Sequence, residues 1–194
     1  MQETQPELEL AQAAAAGDEA AWRQIYDLSS DRLFSFLCYQ VGDREEALDL
    51  LQETFLKAHR SLRSYRGEAP LSAWLRKIAL HLAMDWKRSV LKKLKRRVAL
   101  DEVNAKVEPD IDHVRFESEY TQLSRALEKL SPNQRAVLLM HDWETWSFAE
   151  ISGALGCKES TVRVHHARAR EKMKVALSGE LSRIETDGLE GQKV

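Results

Sequence analysis

Cysteine, proline and glycine are all scarce in these 194 residues, at 2, 4 and 8 respectively. Cys38 and Cys157 have no spaced partner, which argues against a disulfide framework and against a cysteine-based zinc site. So few glycines and prolines, with no runs rich in Val, Ile and Thr, leave little from which to build hairpins and sheets. No apolar run approaches the roughly 18 residues that span a membrane, and the acidic, polar N-terminus is unlike a signal peptide. A cytoplasmic chain without membrane insertion is expected. There is no Gly-rich phosphate loop, no nucleophile elbow and no His/Cys cluster at metal-ligand spacing. The six histidines are His59, His81, His113, His141, His165 and His166. His81 and Asp85 stand four apart on a helix, a spacing that reads as a surface contact. No enzyme activity, catalytic residue, cofactor or metal is therefore expected.

Ala, Leu, Glu, Lys and Arg dominate, and they favour an all-α fold. The formal net charge of −2 conceals a strong asymmetry. Residues 1–56 carry 12 acids and 3 bases, whereas residues 57–99 carry 13 bases and 2 acids, a local net of +11. Segment 100–130 returns to 8 acids and 4 bases, and 131–178 has 7 bases and 5 acids. Either a phosphate-facing surface lies beside an acidic protein-binding one, or the two segments neutralise each other within the fold.

Residues 18–90 read as one helical domain after an N-terminal extension, 1–17. Asp18 is placed to cap a helix with an apolar stripe of Trp22, Ile25 and Tyr26. After Ser29-Ser30-Asp31 comes a second stripe, Leu33, Phe36, Leu37 and Val41. Gly42-Asp43 then punctuates. The third stripe is Ala47, Leu50, Leu51, Phe55, Ala58 and Leu62; its other face carries Leu48, Asp49, Gln52, Glu53 and Leu56. Acids interleaved with leucines suit protein docking, or simply a solvated amphipathic face. Gly67 to Pro70 marks a turn, and Leu71, Trp74, Leu75, Ile78 and Leu82 make a fourth stripe. Trp74 reads as core and Trp86 as ambiguous. Residues 91–123, with the run Lys92-Lys93-Leu94-Lys95-Arg96-Arg97 and later Pro109, read as a linker with some helical character.

Helical order resumes near Glu119 and defines a second domain, 124–178, followed by a C-terminal tail, 179–194. Ser131-Pro132 is an N-cap with proline at the first helical position. Ser147-Phe148-Ala149-Glu150 is a capping box, because serine hydroxyl and glutamate carboxylate each satisfy the other residue's backbone N–H. Gly156 is a left-handed stop. A second helix starts near Glu159 and runs to about Leu177, which spells helix-turn-helix. Val162, His166, Ala169 and Met173 should pack inward. Lys158, Glu159, Ser160, Thr161, Arg163 and His165 come early, where such a helix meets base edges. Arg168, Arg170, Lys172 and Lys174 lie where phosphate contact is more natural. A solvated basic helix in an ordinary bundle is the plainer alternative.

Leu130-Ser131-Pro132, Arg135, Glu150-Ile151, Leu155-Gly156, Thr161-Val162-Arg163 and Arg168-Ala169-Arg170 resemble region 4 of sigma factors, which reads the minus-thirty-five promoter element. The same stretch is similar to the helix-turn-helix of LuxR-type regulators, which would make the chain a stand-alone transcriptional regulator. It departs from the sigma pattern at Ser160, where Gly is usual, and at Val164-His165, where Ser-Arg is common.

The N-terminal half separates the two families. Residues 43–58, with Asp49-Leu50-Leu51-Gln52-Glu53 at their centre, resemble sigma region 2.2, a helix that docks on the coiled coil of the polymerase beta-prime subunit. The resemblance implies that Leu48, Asp49, Gln52, Glu53 and Leu56 bind polymerase. Residues 65–75, Tyr65-Arg66-Gly67-Glu68-Ala69-Pro70-Leu71-Ser72-Ala73-Trp74-Leu75, resemble regions 2.3–2.4, which engage the melted minus-ten element. Tyr65, Arg66 and Gly67 on the loop, and Arg76, Lys77, His81, Met84, Lys87 and Arg88 on the following helix, would then hold single-stranded DNA, combining cationic contacts with room for splayed bases. The chain thus resembles an extracytoplasmic-function (ECF) sigma factor of the sigma-70 family. That implies two small helical domains, the region 2 bundle and the region 4 helix-turn-helix, joined by a linker. It also implies as partners core RNA polymerase (beta-prime coiled coil and beta flap), promoter DNA and an anti-sigma factor, with the free chain a monomer.

Overall fold

The computed structural model describes residues 4–100 and 118–190, and every regular element among them is helical. The chain divides into two compact units, Met1–His113 and Val114–Val194.

The first unit contains α1 (Thr4–Ala15), α2 (Glu19–Val41), α3 (Arg44–Ser61), a 3-10 turn (Leu62–Ser64) and α4 (Leu71–Leu100). Asp18 caps α2, its carboxylate accepting from the Ala20 and Ala21 N–H groups at 2.9 and 3.1 Å. The sequence suggests a break at Ser29-Ser30-Asp31, yet α2 runs through it unbroken. Serine and aspartate cost only about half a kcal/mol each in a helix. Burial of Ile25, Leu33, Phe36 and Leu37 on either side of that segment outweighs this, and Ser29 itself is buried. At Gly42 the N–H bonds to the Cys38 carbonyl at 2.8 Å, and Asp43 caps α3 through Glu46 N–H at 2.9 Å. The core between these helices takes Ala47, Leu50, Leu51, Phe55 and Ala58 from α3, and Leu71, Leu75, Ala79 and Leu82 from α4. Thr54 is also buried, its hydroxyl satisfied by the Leu50 carbonyl at 2.6 Å. Tyr26, expected in the apolar stripe, is exposed and flanks Phe55 with ring centroids 4.6 Å apart.

Residues read as an N-terminal extension contain α1, which packs on α2, the 3-10 turn and α4. Its Ala11 and Ala14 are buried, and Glu7 caps α4 by accepting the Leu71 N–H at 2.8 Å. Leu8 closes over the turn before α4. A Cβ on Gly67 would lie 3.4 Å from a Leu8 methyl, and Gly67 has φ +71°, so only glycine fits without strain. At its far end α4 continues through Leu100, so the basic run from Lys92 is helical. Residues 101–117 of the expected linker lie outside the described residues.

The second unit contains α5 (Ser118–Glu128), α6 (Pro132–Leu138), a single π-helical turn (Leu139–Trp143), α7 (Phe148–Leu155) and α8 (Glu159–Glu190). Both serine caps form reciprocal boxes: Ser131 with Gln134, and Ser147 with Glu150. Gly156 ends α7 at φ +63°, its N–H on the Ser152 carbonyl, and the chain turns directly into α8. Leu127, Ala136, Val137, Met140, Ile151, Val162 and Ala169 form the core. Arg135 is buried among them, and its Nε donates to the Leu127 carbonyl at 2.9 Å. Burial pulls its pKa down to about 10, an effect the Glu128 charge partly offsets. The expected end of α8 near Leu177 is exceeded, the helix continuing to Glu190.

Hydrogen bonds from the Ser147 hydroxyl and backbone N–H hold Glu150 below the usual carboxylate range. A depressed folded-state pKa stabilises above the unfolded value, and that contribution is lost as pH falls through the folded value. Ser147→Ala is expected to cost about 1 kcal/mol at neutral pH. The cost should shrink in acid, as thermal melts at both pH values would show; a cost independent of pH would contradict the box.

Candidate nucleic-acid and protein interfaces

Helix α3 presents two faces because its stripe of small and branched residues is consumed by the core. On the outer face Leu48 and Leu56 are 40% and 57% exposed, and Asp49, Gln52 and Glu53 are exposed with them. Glu53 pairs with Lys57 at 3.4 Å across one helical turn. This is a continuous acidic and apolar strip made of every residue the sequence assigns to polymerase docking. Two bare leucines beside unburied carboxylates leave apolar area that a protein partner would cover.

The segment from Tyr65 to Arg88 divides between core and surface. Arg66, Lys77, His81 and Arg88 are exposed, and Gly67 and Met84 are partly so. Lys77, His81, Met84 and Arg88 recur at helical spacing and lie along one side of α4, with Arg88 paired to Asp85. Two of the expected contacts turn inward instead. Tyr65 is 7% exposed; its hydroxyl donates to the Ala69 carbonyl at 2.8 Å, and its ring lies against Trp74. Arg76 is 2% exposed, its guanidinium 5.0 Å from the centroid of the Phe36 ring. In this conformation Tyr65 shapes the loop from within and Arg76 braces α2 against α4, and neither offers a surface to DNA. Lys87 is half-buried, with Nζ donating to the Gln40 carbonyl at 3.2 Å. Spacing alone missed these because a cation on a mixed helix is assumed to face water. Here aromatic and carbonyl partners hold it inside.

In the second unit α7, the Gly156 turn and α8 form the expected helix-turn-helix. Val162, Ala169 and Met173 face inward and His166 is partly buried, as their spacing requires. Lys158, Ser160, Thr161, Arg163, Arg168 and Arg170 are exposed, while Glu159 and His165 are intermediate. Arg163 does not point freely into solvent. Its Nη2 and Nε donate to Glu159 Oε1 at 2.6 and 3.1 Å, and its guanidinium sits 4.7 Å from the Phe148 ring centroid. The glutamate and the ring hold it in one orientation at the start of α8. The unit also holds an open groove of about 370 Å³, lined by Leu123, Leu127, Leu138, Leu139, Trp143 and Met173, with Asp142 and Arg170 also in its wall. Trp143 is half-exposed at its edge. Sequence periodicity did not mark this groove, because its walls come from α5, the π-helical turn and α8 together. Among the described residues, no helix is long and apolar enough to cross a membrane.

The two units correspond to known families. Residues 25–92 match the family model for sigma-70 region 2, and residues 120–173 match that for sigma-70 region 4. The chain is 31% identical over 165 residues to the ECF RNA polymerase sigma factor SigM of Mycobacterium tuberculosis, covering 85% of this chain and 81% of that one. It is 29% identical over 157 residues to SigX of Bacillus subtilis, covering 77% and 80%. With SigE of Mycolicibacterium smegmatis it is 31% identical over 167 residues, spanning 82% of this chain but only 64% of that relative. Two solved structures share the fold. One is the sigma factor RpoE in complex with the anti-sigma factor NepR from Bartonella quintana (TM-score 0.62, 24% identity, 80% of this chain and 96% of that one). The other is CnrH in complex with the cytosolic domain of CnrY (TM-score 0.64, 22% identity, 89% and 97%). The acidic and apolar strip of α3, the cationic side of α4 and the helix-turn-helix thus fall within two family regions in the right order, and the chain belongs to the ECF RNA polymerase sigma factors of the sigma-70 family.

Proposed function

We propose that this chain binds core RNA polymerase and directs it to promoters, without enzymatic activity of its own. The observation that carries the proposal is the order of the two matches, region 2 on the first unit and region 4 on the second. The exposed strip Leu48, Asp49, Gln52, Glu53 and Leu56 is the docking surface for the beta-prime coiled coil. The groove beside Trp143 suits the apolar tip of the beta flap. Arg66, Gly67, Lys77, His81, Met84 and Arg88 receive the minus-ten element. An exposed cationic helix beside a tight loop is what a displaced single strand needs while the duplex is melted. Lys158, Ser160, Thr161, Arg163, Arg168 and Arg170, with Glu159 and His165 between them, read the minus-thirty-five element from α8. An anti-sigma partner that covers these surfaces fits the company in which the similar folds were solved. Cytoplasmic residence and a monomeric free state complete the reading.

Run-off transcription with purified core polymerase and a genomic fragment library tests it. New discrete start sites are expected, and starts no different from core polymerase alone would overturn the proposal. The stand-alone regulator reading, which the helix-turn-helix shares, leaves the whole first unit without a role. Within this function, Arg163→Ala should weaken recognition of the upstream element by about 1–3 kcal/mol if the guanidinium reads a base. Band-shift titrations on matched and scrambled duplexes would show the loss on the matched one alone. An equal loss on both would make Arg163 a phosphate contact.

A further inference from the structure

The π-helical turn and α8 bring together two adjacent potential metal ligands, His141 and Asp142, and a third that lies 24 residues beyond Asp142. His141, Asp142 and His166 each offer one ligand atom, and these atoms all lie within 4.8 Å of one another. His166 Nε2 lies 2.6 Å from Asp142 Oδ1. The ring of His141 meets that of His166 edge-on, with centroids 4.6 Å apart. A His–Asp pair next to a second imidazole is also an ordinary way to close a helical junction, so proximity alone settles nothing. Two further features favour a metal.

The first is orientation. His141 Nδ1 lies 2.7 Å from the Trp146 carbonyl, which can only accept, so Nδ1 carries the proton and Nε2 keeps its lone pair. A ligating histidine is commonly held in this way, its other nitrogen donating to a backbone carbonyl. Unusual backbone supplies that carbonyl. The turn Leu139–Trp143 is π-helical, and Thr145 follows with φ +60°, a conformation that residues other than glycine seldom adopt. Trp146 N–H returns to the Met140 carbonyl at 2.9 Å, which locks the loop in place.

The second is the wall around the cluster. Phe148 stacks on His141 at 4.1 Å and meets His166 at 5.3 Å, giving the imidazoles an apolar backing. The side chain of His166 is 12% exposed and that of Asp142 39%, so the cluster is sheltered on one side and open to entry on the other. Ligands of a tetrahedral zinc ion stand about 3.3 Å apart, given bonds of about 2.0–2.1 Å. The 2.6 Å between His166 and Asp142 would lengthen, and the widest separation in the cluster, at most 4.8 Å, would shorten, both within the reach of side-chain rotation.

We propose that His141, Asp142 and His166 bind one divalent transition-metal ion of the zinc type, two imidazoles and a carboxylate leaving a fourth position for water. On binding, the ion takes the place of the proton between His166 Nε2 and Asp142 Oδ1, and the neutral imidazole carries its one N–H on Nδ1 instead. The ion ties the π-helical turn to α8 three residues beyond Arg163, and so braces the helix-turn-helix. The proposal does not depend on the promoter-binding reading.

The test uses the full chain, tag-free and stripped with chelator, titrated with Co²⁺ and then Zn²⁺. One Co²⁺ per chain is expected, with the visible bands of four-coordinate cobalt, displaced by one Zn²⁺. Zn²⁺ should also raise the melting temperature. His141→Gln and Asp142→Ala should each weaken binding by about tenfold or more. Asp142→Ala changes a half-exposed side chain, so it decides the matter even where His141→Gln lowers stability. The double variant His59→Gln with His81→Gln, which removes two exposed histidines elsewhere, should bind as the parent does. Absence of cobalt bands, or parental affinity in Asp142→Ala, would overturn the site. Loss of binding only in the His59/His81 variant would do the same.

Discussion

Asp49→Arg combined with Glu53→Arg is expected to abolish capture of core RNA polymerase while leaving the fold of the first unit intact. Both carboxylates are exposed on the face of α3 opposite its buried stripe. The only ion pair that the double change removes among those described is Glu53 with Lys57, half-exposed on both sides and worth less than about 1 kcal/mol. Arginine is as good a helix former as glutamate and better than aspartate. Stability should therefore change by less than about 1 kcal/mol, as a circular-dichroism melt would show. At a docked interface the same change sets two cations against a surface complementary to acids. Reversed pairs there cost several kcal/mol, so affinity should fall on the order of a hundredfold or more. Co-purification with core polymerase is the readout. A well-folded variant that still co-purifies at parental yield would remove α3 from the docking surface.

The second large effect concerns stability. Arg135 is 3% exposed, and its Nε donates to the Leu127 carbonyl near the C-terminal end of α5, which also accepts from the Leu130 N–H at 3.0 Å. Arg135→Ala removes one of that carbonyl's two hydrogen bonds and opens a cavity between α5 and α6. The lost hydrogen bond costs about 1 kcal/mol and the cavity about 2–4 kcal/mol, so a total of about 3–5 kcal/mol is expected. For a domain of this size that is a fall in melting temperature of about 12 °C or more. Arg135→Met, which fills the volume and removes the buried charge, should recover part of the loss. A melt of Arg135→Ala within a few degrees of the parent would show that the buried guanidinium contributes little.

Both variants act on residues that differ in how openly the sequence displays them. Asp49 and Glu53 were legible because α3 is regular: once its stripe is set, the opposite face must look outward. The caps Asp18, Ser131 and Ser147 were legible too, since each bonds within three residues of itself. Local chemistry of that kind survives any tertiary arrangement. The misreadings are tertiary in origin. Ser29-Ser30-Asp31 has the composition of a turn, and only the buried residues flanking it keep α2 continuous. Nothing in residues 1–17 announces that Glu7 reaches across 64 positions to cap α4.

The same distinction divides the candidate site. Lys77, His81 and Arg88 stay on the surface as their spacing suggests. Arg76 is captured by Phe36, a partner that no window of neighbouring residues contains, and Tyr65 by the Ala69 carbonyl, within a loop that has no periodicity to read. His141, Asp142 and His166 are the extreme case. A π-helical turn and a left-handed threonine set their geometry, and neither has a sequence signature as plain as a capping box.

The central claim is that this chain acts on promoters through polymerase rather than alone. It is tested most directly by mixing the purified full chain with sigma-free bacterial core polymerase and measuring complex formation beside duplex binding by the chain itself. A stable equimolar complex, with weak duplex binding by the free chain, is the predicted result. No complex with polymerase, together with tight sequence-specific duplex binding by the chain alone, would contradict the account and make the helix-turn-helix that of a stand-alone regulator.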